Sequence, residues 1–291
     1  MSKGLVFFGV NNSRVNYLQL AIIAASFARK NLGRNISTCL ITDEDTLTSA
    51  PANLSQYFDH VVKLETKELF ENTRQYKDTR YYTFNDRFRN ETRSSVYDLS
   101  PYDETLLIDC DYLICSDTLN NVWGSIEDVM INRDAISLYH DPLNGDEYRL
   151  NSYGIRMYWA TLIYFRKGDK ARELFKLVEH IKENWDFYKL TYDFPGSLFR
   201  NDYAFSIAIH ILNGGVDDPD NFPSLPCSKI LTALDTDQFY KINGPDDLTL
   251  FANDKRENWR FTATRVKGLD VHCMNKLSIL NNTTEIMEVL K

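Results

Sequence analysis

Short, continuous apolar runs separated by polar turns dominate the first 115 residues of this 291-residue chain. They cover residues 4–10, 36–42, 58–64 and 105–108, and residues 17–29 carry apolar side chains at helical spacing. Apolar runs of this length are typical of strands that are buried on both faces of a sheet. A strand, a helix and further strands in this order predict an α/β protein with a mostly parallel central sheet flanked by helices.

The second half of the chain is less regular. Residues 135–139 and 158–165 predict strands, residues 170–186 an amphipathic helix and residues 202–212 a mostly buried helix. Residues 214–228, which contain three prolines, predict a loop. Because no linker or internal repeat divides the chain, we expect a single domain.

Composition narrows the class of protein further. A hydrophobic fraction of 43% excludes a disordered or fibrous chain, and a net charge of −8 argues against a surface that wraps nucleic acid or an anionic membrane. Five scattered cysteines without a C-x-x-C pair argue against a disulfide framework or a zinc ribbon. The longest apolar stretch is about half as long as a membrane span. With no secretory leader in view, we expect a cytoplasmic protein.

Two aspartates, Asp109 and Asp111, directly follow the apolar run at residues 105–108. In open α/β sheets ligands bind outside the carboxyl ends of the strands, so carboxylates at this point lie near a ligand. Two hard oxygen donors suit Mg²⁺ or Mn²⁺, which in turn bridges a diphosphate. A solvated turn at the end of a strand is the alternative interpretation, and the apolar strand before it favours the metal site.

His272 and Lys276 form a second candidate pair, far along the chain. An imidazole can fill an open position on such a metal ion, and a lysine four residues later can reach a phosphate. A single histidine is more often structural. His272 is therefore a candidate ligand only in combination with Asp109 and Asp111.

Two segments are rich in basic residues within this acidic chain. Residues 74–93 hold six basic, three acidic and five aromatic side chains, and residues 255–267 hold five basic and one acidic. Such segments can bind phosphates, a nucleic-acid strand or a sugar. For the first segment, an exposed helix face with its aromatic side chains turned inward is an equally good interpretation.

Two further aspartates are candidates for acid–base chemistry. Asp202 lies at the start of a predicted helix, where it can cap the helix or act in an active site. Asp193, beside the loop at residues 194–197, is a weaker candidate. The chain has no G-x-x-x-x-G-K-S/T loop, no G-x-G-x-x-G after the first strand and no G-x-S-x-G elbow. These absences argue against a P-loop NTPase, a dinucleotide-dependent dehydrogenase and a serine hydrolase.

Together these features resemble the metal-dependent GT-A glycosyltransferases, in particular the glycogenin and bacterial galactosyltransferase-like group. The resemblance covers most of the chain and is densest over residues 4–122. An Asn-Tyr pair ending at Tyr17 precedes the apolar helix, and FDHVVKL matches a strand of the group. The most specific match is LLIDCDYLICSDTLNNVW, which contains Asp109 and Asp111.

The resemblance implies a metal site and a sugar site. Asp109 and Asp111 would hold Mn²⁺ or Mg²⁺ together with His272, and the metal would bind both phosphates of a nucleotide-sugar. The spacing of His272 and Lys276 is similar to the group's closing His-x-x-x-Lys element. Asp202 is similar to the Asp of the group's Asp-Gln helix start and would touch the transferred sugar.

The resemblance also implies a nucleotide site. Val10, Asn11 and Tyr17 would surround the base, and Arg93 and Lys276 would contact phosphate or the donor sugar. Residues 1–122 would form the nucleotide-binding half of a single GT-A-like domain over residues 1–291, and residues 123–291 the acceptor half with the closing C-terminal segment.

The chain departs from the group at several positions. Arg93 stands where the group has lysine, Tyr203 where it has glutamine, and Trp159-Ala160-Thr161 where it has an Asn-Ser-Gly strand. The closing element lacks the usual Pro-Trp. These departures indicate a remote member with an unusual donor or acceptor.

The hypothesis is therefore a metal-dependent glycosyltransferase that moves a sugar from a nucleotide diphosphate donor, expected to be UDP-linked, to an acceptor hydroxyl. Resemblance favours retention at the anomeric carbon, in which case the leaving phosphate takes the proton. In an inverting reaction, Asp202 or Asp193 would be the general base.

Three alternatives stay open. A phage-type glycosyltransferase acting on a hydroxymethylated DNA base would use the two basic segments and bind duplex DNA in a salt-sensitive way. A nucleotidyltransferase would share the sheet and the metal, but it usually carries a Gly-rich loop after the first strand. A non-catalytic module would bind a nucleotide-sugar without turnover.

Overall fold

A computed structural model describes residues 1–65, 72–77, 81–89, 92–143, 155–193, 198–227, 229–254 and 260–291 of the chain. Within these residues it contains fifteen strands: β1 (Lys3–Phe8), β2 (Ser37–Thr42), β3 (His60–Lys63), β4 (Thr73–Lys77), β5 (Thr83–Arg87), β6 (Glu104–Ile108), β7 (Tyr112–Leu113), β8 (Val129–Asn132), β9 (Asp134–Ser137), β10 (Trp159–Arg166), β11 (Lys229–Ala233), β12 (Gln238–Gly244), β13 (Asp247–Asp254), β14 (Arg260–Lys267) and β15 (Val271–Cys273). The same residues contain eight α-helices: α1 (Tyr17–Asn31), α2 (Glu44–Thr48), α3 (Val96–Leu99), α4 (Asp169–Glu183), α5 (Trp185–Thr191), α6 (Asn201–Leu212), α7 (Lys276–Asn281) and α8 (Thr283–Val289).

The largest sheet has six strands in the order β3-β2-β1-β6-β10-β8. Strands β3, β2, β1 and β6 run parallel to one another, whereas β10 runs antiparallel to both of its neighbours. All five residues of β6 are buried, as expected for a strand covered on both faces. This strand order confirms the predicted α/β class with a mostly parallel central sheet.

Helices cover both faces of this sheet, and a separate apolar core lies on each side. Leu5 and Phe7 of β1 belong to the core that includes α1, and Val6 and Phe8 belong to the core that includes α4 and α6. The division follows from strand geometry, since successive side chains point to opposite faces. Asn16 begins α1 by accepting a hydrogen bond from the Gln19 backbone N–H. Among the described helices, none has both the length and the apolar character needed to cross a membrane.

Three smaller sheets come mostly from parts of the chain that show no strong strand pattern. One has the order β7-β15-β11-β9, in which β15 is antiparallel to β7 and parallel to β11. Another is the antiparallel sheet β12-β13-β14, and the third is the hairpin of β4 and β5. The sheet that contains β15 brings the end of the chain back to the central sheet.

Several predicted elements differ from those observed. The segment at residues 74–93 is not a helix face, because β4 and β5 form a hairpin in which the rings of Tyr76 and Phe84 stack with centroids 5.3 Å apart. Aromatic residues of this kind favour a pleated surface. The predicted helix at residues 170–186 is divided into α4 and α5 at Asn184. Part of both basic segments lies outside the described residues, namely Asp78, Arg80, Glu91 and residues 255–259.

Candidate functional site

The turn after β6 places Asp109 and Asp111 at the carboxyl edge of the central sheet. The Asp109 backbone N–H donates to the Thr161 carbonyl at 2.9 Å, and the Tyr112 N–H donates to the Asp109 carbonyl at 3.0 Å. Strand β7 follows at once and pairs with β15, so that Tyr112 lies opposite His272. This pairing brings a histidine from near the end of the sequence to the two aspartates.

Asp109, Asp111 and His272 form a compact cluster. One potential ligand atom from each residue lies within 4.8 Å of the others, and His272 Nε2 is 3.5 Å from Asp111 Oδ2. The Cys273 N–H donates to the Asp111 carbonyl at 2.8 Å, which fixes the two segments together. Asp111 and His272 are buried, whereas Asp109 is half-buried at the cleft. We refer to these three residues as the acidic cluster.

Two cations lie against the acidic cluster. Lys276 Nζ is 2.6 Å from Asp111 Oδ2, and Arg93 forms an ion pair with Asp109. Lys276 is the first residue of α7, where the helix dipole disfavours a cation, so Asp111 offsets that cost. The Nε and Nη2 groups of buried Arg93 have no hydrogen-bond partner within the described ranges. Unpaired buried donors are costly, and an anion in the cleft would satisfy them.

The surroundings shift the pKa values of the two carboxylates in opposite directions. Burial opposes ionisation of Asp111, but the neighbouring Lys276 and His272 outweigh it and hold its pKa well below the usual range. Burial raises the pKa of Asp109 in spite of the Arg93 guanidinium, and the charge of Asp111 adds to the rise. Burial would lower the pKa of Lys276, yet Asp111 raises it. The cluster therefore holds an ionised carboxylate, that of Asp111, at neutral pH.

The donor atoms of the acidic cluster fit a divalent cation. Carboxylate oxygens suit Mg²⁺ and Mn²⁺, and an imidazole nitrogen is a ligand for transition metals such as Mn²⁺. All three residues line the cleft, so an ion that they held would be within reach of a ligand bound there. Asp109, Asp111 and His272 are thus a chemically suitable set for either ion.

The cleft in front of the acidic cluster encloses about 740 Å³ of space, part of which is open solvent. Asp202, in the first turn of α6, lines it together with Trp159 and Thr161. Asp202 Oδ1 accepts a hydrogen bond from the Ala160 N–H at 2.9 Å, and Oδ2 accepts one from Arg200 at 3.1 Å. The carboxylate is thereby held in one orientation at the cleft wall.

Tyr17, the first residue of α1, also lines the cleft and is buried. Its hydroxyl lies 3.1 Å from the hydroxyl of Tyr76 on β4. Burial, and then the proximity of Tyr76, raises the pKa of Tyr17 well above its ordinary value. The phenol consequently stays protonated at neutral pH.

The structure brings some of the other sequence-predicted residues to the cleft and leaves others apart from it. Val10 is buried and Asn11 Oδ1 accepts a hydrogen bond from the Leu18 N–H, and neither residue lines the described cleft. Asp193 is exposed just after α5, in the left-handed region with φ +50°, and is also absent from the described lining. Roles for these three residues stay predictions.

Several lining residues were given no individual role by sequence reasoning, among them Arg74, Phe88, Arg200 and Met274. Arg74 and Phe88 belong to a segment whose composition indicated anion binding, but only the β4–β5 hairpin shows which of its six basic residues face the cleft. Met274 lies between the candidate ligand His272 and Lys276, so its position in the sequence could have predicted that it lines the cleft.

Comparison with known proteins gives structural likeness only. No protein-family model and no curated protein sequence matches the chain. The glycosyltransferase GlyE of Streptococcus pneumoniae is 12% identical with a TM-score of 0.42, and the likeness covers 77% of this chain and 45% of GlyE. The galactosyltransferase LgtC, in complex with donor and acceptor sugar analogues, is 13% identical with a TM-score of 0.42. That likeness covers 71% of this chain and 70% of LgtC.

The chain thus spans less than half the length of GlyE.

Proposed function

We propose that the protein is a metal-dependent glycosyltransferase, which transfers a sugar from a UDP-linked donor to an acceptor hydroxyl with retention at the anomeric carbon. The observation that carries this proposal is the acidic cluster, whose three ligand atoms lie within 4.8 Å at the edge of a cleft with cationic walls. A diphosphate needs both features, because its charge has to be neutralised on more than one side.

Asp109, Asp111 and His272 would hold Mn²⁺ or Mg²⁺. When bound, the ion neutralises the negative charge of the diphosphate leaving group. Arg93 would contact a phosphate or the donor sugar through its Nε and Nη2 groups, since only Nη1 is bonded to Asp109. Lys276 would contact phosphate from the other side of the cluster, next to Asp111.

Asp202 would orient the transferred sugar, because its carboxylate is fixed at the cleft wall by the Ala160 N–H and Arg200. In a retaining reaction the leaving phosphate accepts the acceptor's proton, so no strong side-chain base is needed. For an inverting reaction, the general base would be Asp202 rather than Asp193, since Asp202 lines the cleft and Asp193 is exposed outside the described lining.

Tyr17 would pack on the nucleotide base, and Val10 and Asn11 would complete the base site next to the start of α1, where Asn11 accepts a hydrogen bond from the Leu18 N–H. In this proposal residues 1–122 supply the nucleotide-binding half of a single domain. Residues 123–291 supply the acceptor half, together with the C-terminal segment that carries His272 and Lys276.

A thermal-shift screen of nucleotide-sugars with and without Mn²⁺ tests the proposal. A ligand present at 100 times its Kd stabilises the native state by about 2.7 kcal/mol, which corresponds to a rise in Tm of about 5 °C. We expect such a rise for UDP-sugars with Mn²⁺ and its loss when EDTA is added. Equal shifts with and without the metal, or none for any nucleotide-sugar, would contradict the proposal.

A further inference from the structure

The cleft continues past the acidic cluster into a second cavity of about 1030 Å³, between the β4–β5 hairpin and the start of α7. Asp109, Asp111 and His272 do not line this second cavity. Four cationic side chains and one acidic one line it: Arg74, Lys77, Arg200, Lys276 and Asp235. The second cavity is therefore positively charged in a protein whose net charge is −8.

Three of these four cations lie against acids. Lys77 Nζ lies 3.1 Å from Asp235 Oδ2, and Lys276 is bonded to Asp111. The Asp202 carboxylate accepts hydrogen bonds from both Arg200 and the Ala160 backbone N–H. Arg74 is different, because no acidic side chain in the described part of the chain forms an ion pair with it.

Arg74 is held in place by an aromatic ring instead. Its Cζ atom lies 3.5 Å from the centroid of Phe88, so the guanidinium is stacked on the ring and its edge is left for hydrogen bonds. Arg200 is supported in a similar way, with its Cζ atom 5.1 Å from the centroid of Tyr203. Both arginines line both cavities, which places them at the junction.

The two guanidinium groups are close enough to repel each other. Burial, and then the charge of Arg200, lowers the pKa of Arg74. Asp202, which is ion-paired with Arg200, offsets part of this repulsion, and a carboxylate or phosphate bound between the two guanidinium groups would offset more of it. The fork geometry of guanidinium suits the paired oxygens of either group.

We propose that Arg74 and Arg200 form an anion subsite that binds a carboxylate or phosphate group carried by a sugar substrate, separately from the donor diphosphate. The proposal rests on the proposed function and adds to it a preference for acidic substrates. The acidic group belongs either to the acceptor saccharide, in the second cavity, or to a uronic acid on the donor. The donor diphosphate is assigned elsewhere, to the acidic cluster with Arg93 and Lys276.

Direct binding measurements by calorimetry test the subsite with four probes: glucose, glucose 6-phosphate, glucuronic acid and UDP with Mn²⁺. We expect glucose 6-phosphate and glucuronic acid to bind about tenfold more tightly than glucose, and Arg74→Gln to remove that difference. Arg74→Lys keeps the positive charge but lacks the paired N–H donors of guanidinium, so it should retain part of the preference for acidic sugars over glucose. Arg87→Gln is the matched control, because Arg87 is exposed on the same hairpin and lines neither cavity.

The outcomes separate the subsite from the proposed function. If UDP with Mn²⁺ fails to bind but the acidic sugars still bind through Arg74, the proposed function is wrong and the subsite stands. If glucose binds as tightly as the acidic sugars, or if Arg87→Gln has the same effect as Arg74→Gln, the subsite is wrong. It is equally wrong if Arg74→Gln weakens UDP–Mn²⁺ binding as much as it weakens binding of the acidic sugars, since Arg74 would then serve the diphosphate.

Two further arms identify the source of the acidic group. Tighter binding of UDP-glucuronic acid than of UDP-glucose, lost in Arg74→Gln, assigns the group to the donor. Binding of glucuronic acid or glucose 6-phosphate to the protein already saturated with UDP and Mn²⁺ assigns it to the acceptor. Either result supports the subsite.

Discussion

Asp109 and Asp111 are two residues apart, yet their neighbours give them different properties. Asp111 is buried against Lys276 and His272, which keep it ionised, whereas Asp109 faces the cleft beside Arg93. A bound cation would relieve the repulsion between the carboxylates and allow both to ionise. The surroundings therefore favour the ionised form of Asp111 more strongly than that of Asp109.

Asp111→Asn should lower metal-dependent sugar transfer by at least about 100-fold, because a neutral amide is a poor ligand and no longer neutralises Lys276. Initial rates with and without Mn²⁺ measure the effect, and circular dichroism confirms that the variant is folded. Asp117→Asn is the control, since Asp117 is an exposed aspartate nearby on the chain. Full activity of Asp111→Asn would reject the metal assignment.

Sequence reasoning reached Asp109 and Asp111 because a buried strand followed by two acids is a local pattern. His272 lies 161 residues beyond Asp111 and could be linked to it only by its ligand chemistry and by family resemblance, since β7–β15 pairing leaves no trace in local composition. Arg74 was hidden among six basic residues. Which of them faces the cleft depends on the hairpin register, which sequence composition does not specify.

At the level of single elements, the start of β1 packs closely against the ring of Tyr102. A methyl group on Gly4 would overlap the buried ring of Tyr102, whose hydroxyl is 2.9 Å from Ser37 on β2. Close packing of this kind is intolerant of added volume. Glycine is therefore required here by the approach of a ring.

Gly4→Ala should destabilise the protein by about 1–3 kcal/mol, the usual cost of overpacking a core. Urea denaturation of the two proteins measures the difference in unfolding free energy. Gly244→Ala serves as the comparison, because a methyl group there would meet its nearest neighbour at an ordinary contact distance of 3.5 Å. Equal stability of Gly4→Ala and the parent protein would show that Tyr102 moves aside freely.

The β13–β14 pair is joined by an ion pair with a clear pH dependence. Arg265 Nε lies 2.8 Å from Asp247 Oδ1, and its second nitrogen contacts Oδ2. Hydrogen bonding from Arg265 lowers the pKa of Asp247 to about 2. Because the folded-state pKa is below the ordinary value, the stabilisation is present above pH 4 and is lost as the pH falls towards 2.

Asp247→Asn should therefore lower the Tm at pH 7, and the gap from the parent protein should narrow as the pH falls from 5 to 3. Thermal denaturation across this range measures it. The Tm of Asp246→Asn, changed at the neighbouring position, should stay close to that of the parent protein at every pH. A gap for Asp247→Asn that is constant from pH 3 to 7 would show that the ion pair contributes nothing.

Elements with a strong local pattern were predicted well, and those defined by long-range pairing were not. The apolar runs that became β1, β2 and β6 and the helical spacing of α1 are local signals. Strands β11 to β15 are short or partly exposed, and they exist because they pair with each other or with β7 and β9. Tertiary pairing of this kind overrides weak local preference.

At the scale of the whole molecule, the positive charge of residues 74–93 is divided among different sites. Arg74 and Arg93 line the cleft, Lys77 is paired with Asp235, and Arg89 lies 3.6 Å from Asp43. A divided arrangement suits small anionic ligands better than a duplex, which needs a continuous basic surface.

We therefore expect no salt-sensitive binding of duplex DNA, measured by fluorescence anisotropy with a labelled duplex at low salt. Affinity that falls steeply as salt increases would favour the alternative of a DNA glycosyltransferase. The same preparation should bind UDP with Mn²⁺, which shows that the protein is active in the assay.

The central claim is that Asp109, Asp111 and His272 together bind a divalent cation that carries the donor diphosphate. Anomalous diffraction at the manganese edge, from crystals grown with Mn²⁺ and UDP, tests it most directly. We expect one strong peak within coordination distance of both carboxylates and His272 Nε2, with the UDP phosphates on its open side. A crystal with UDP bound in the cleft and no anomalous peak among these three residues would contradict the account.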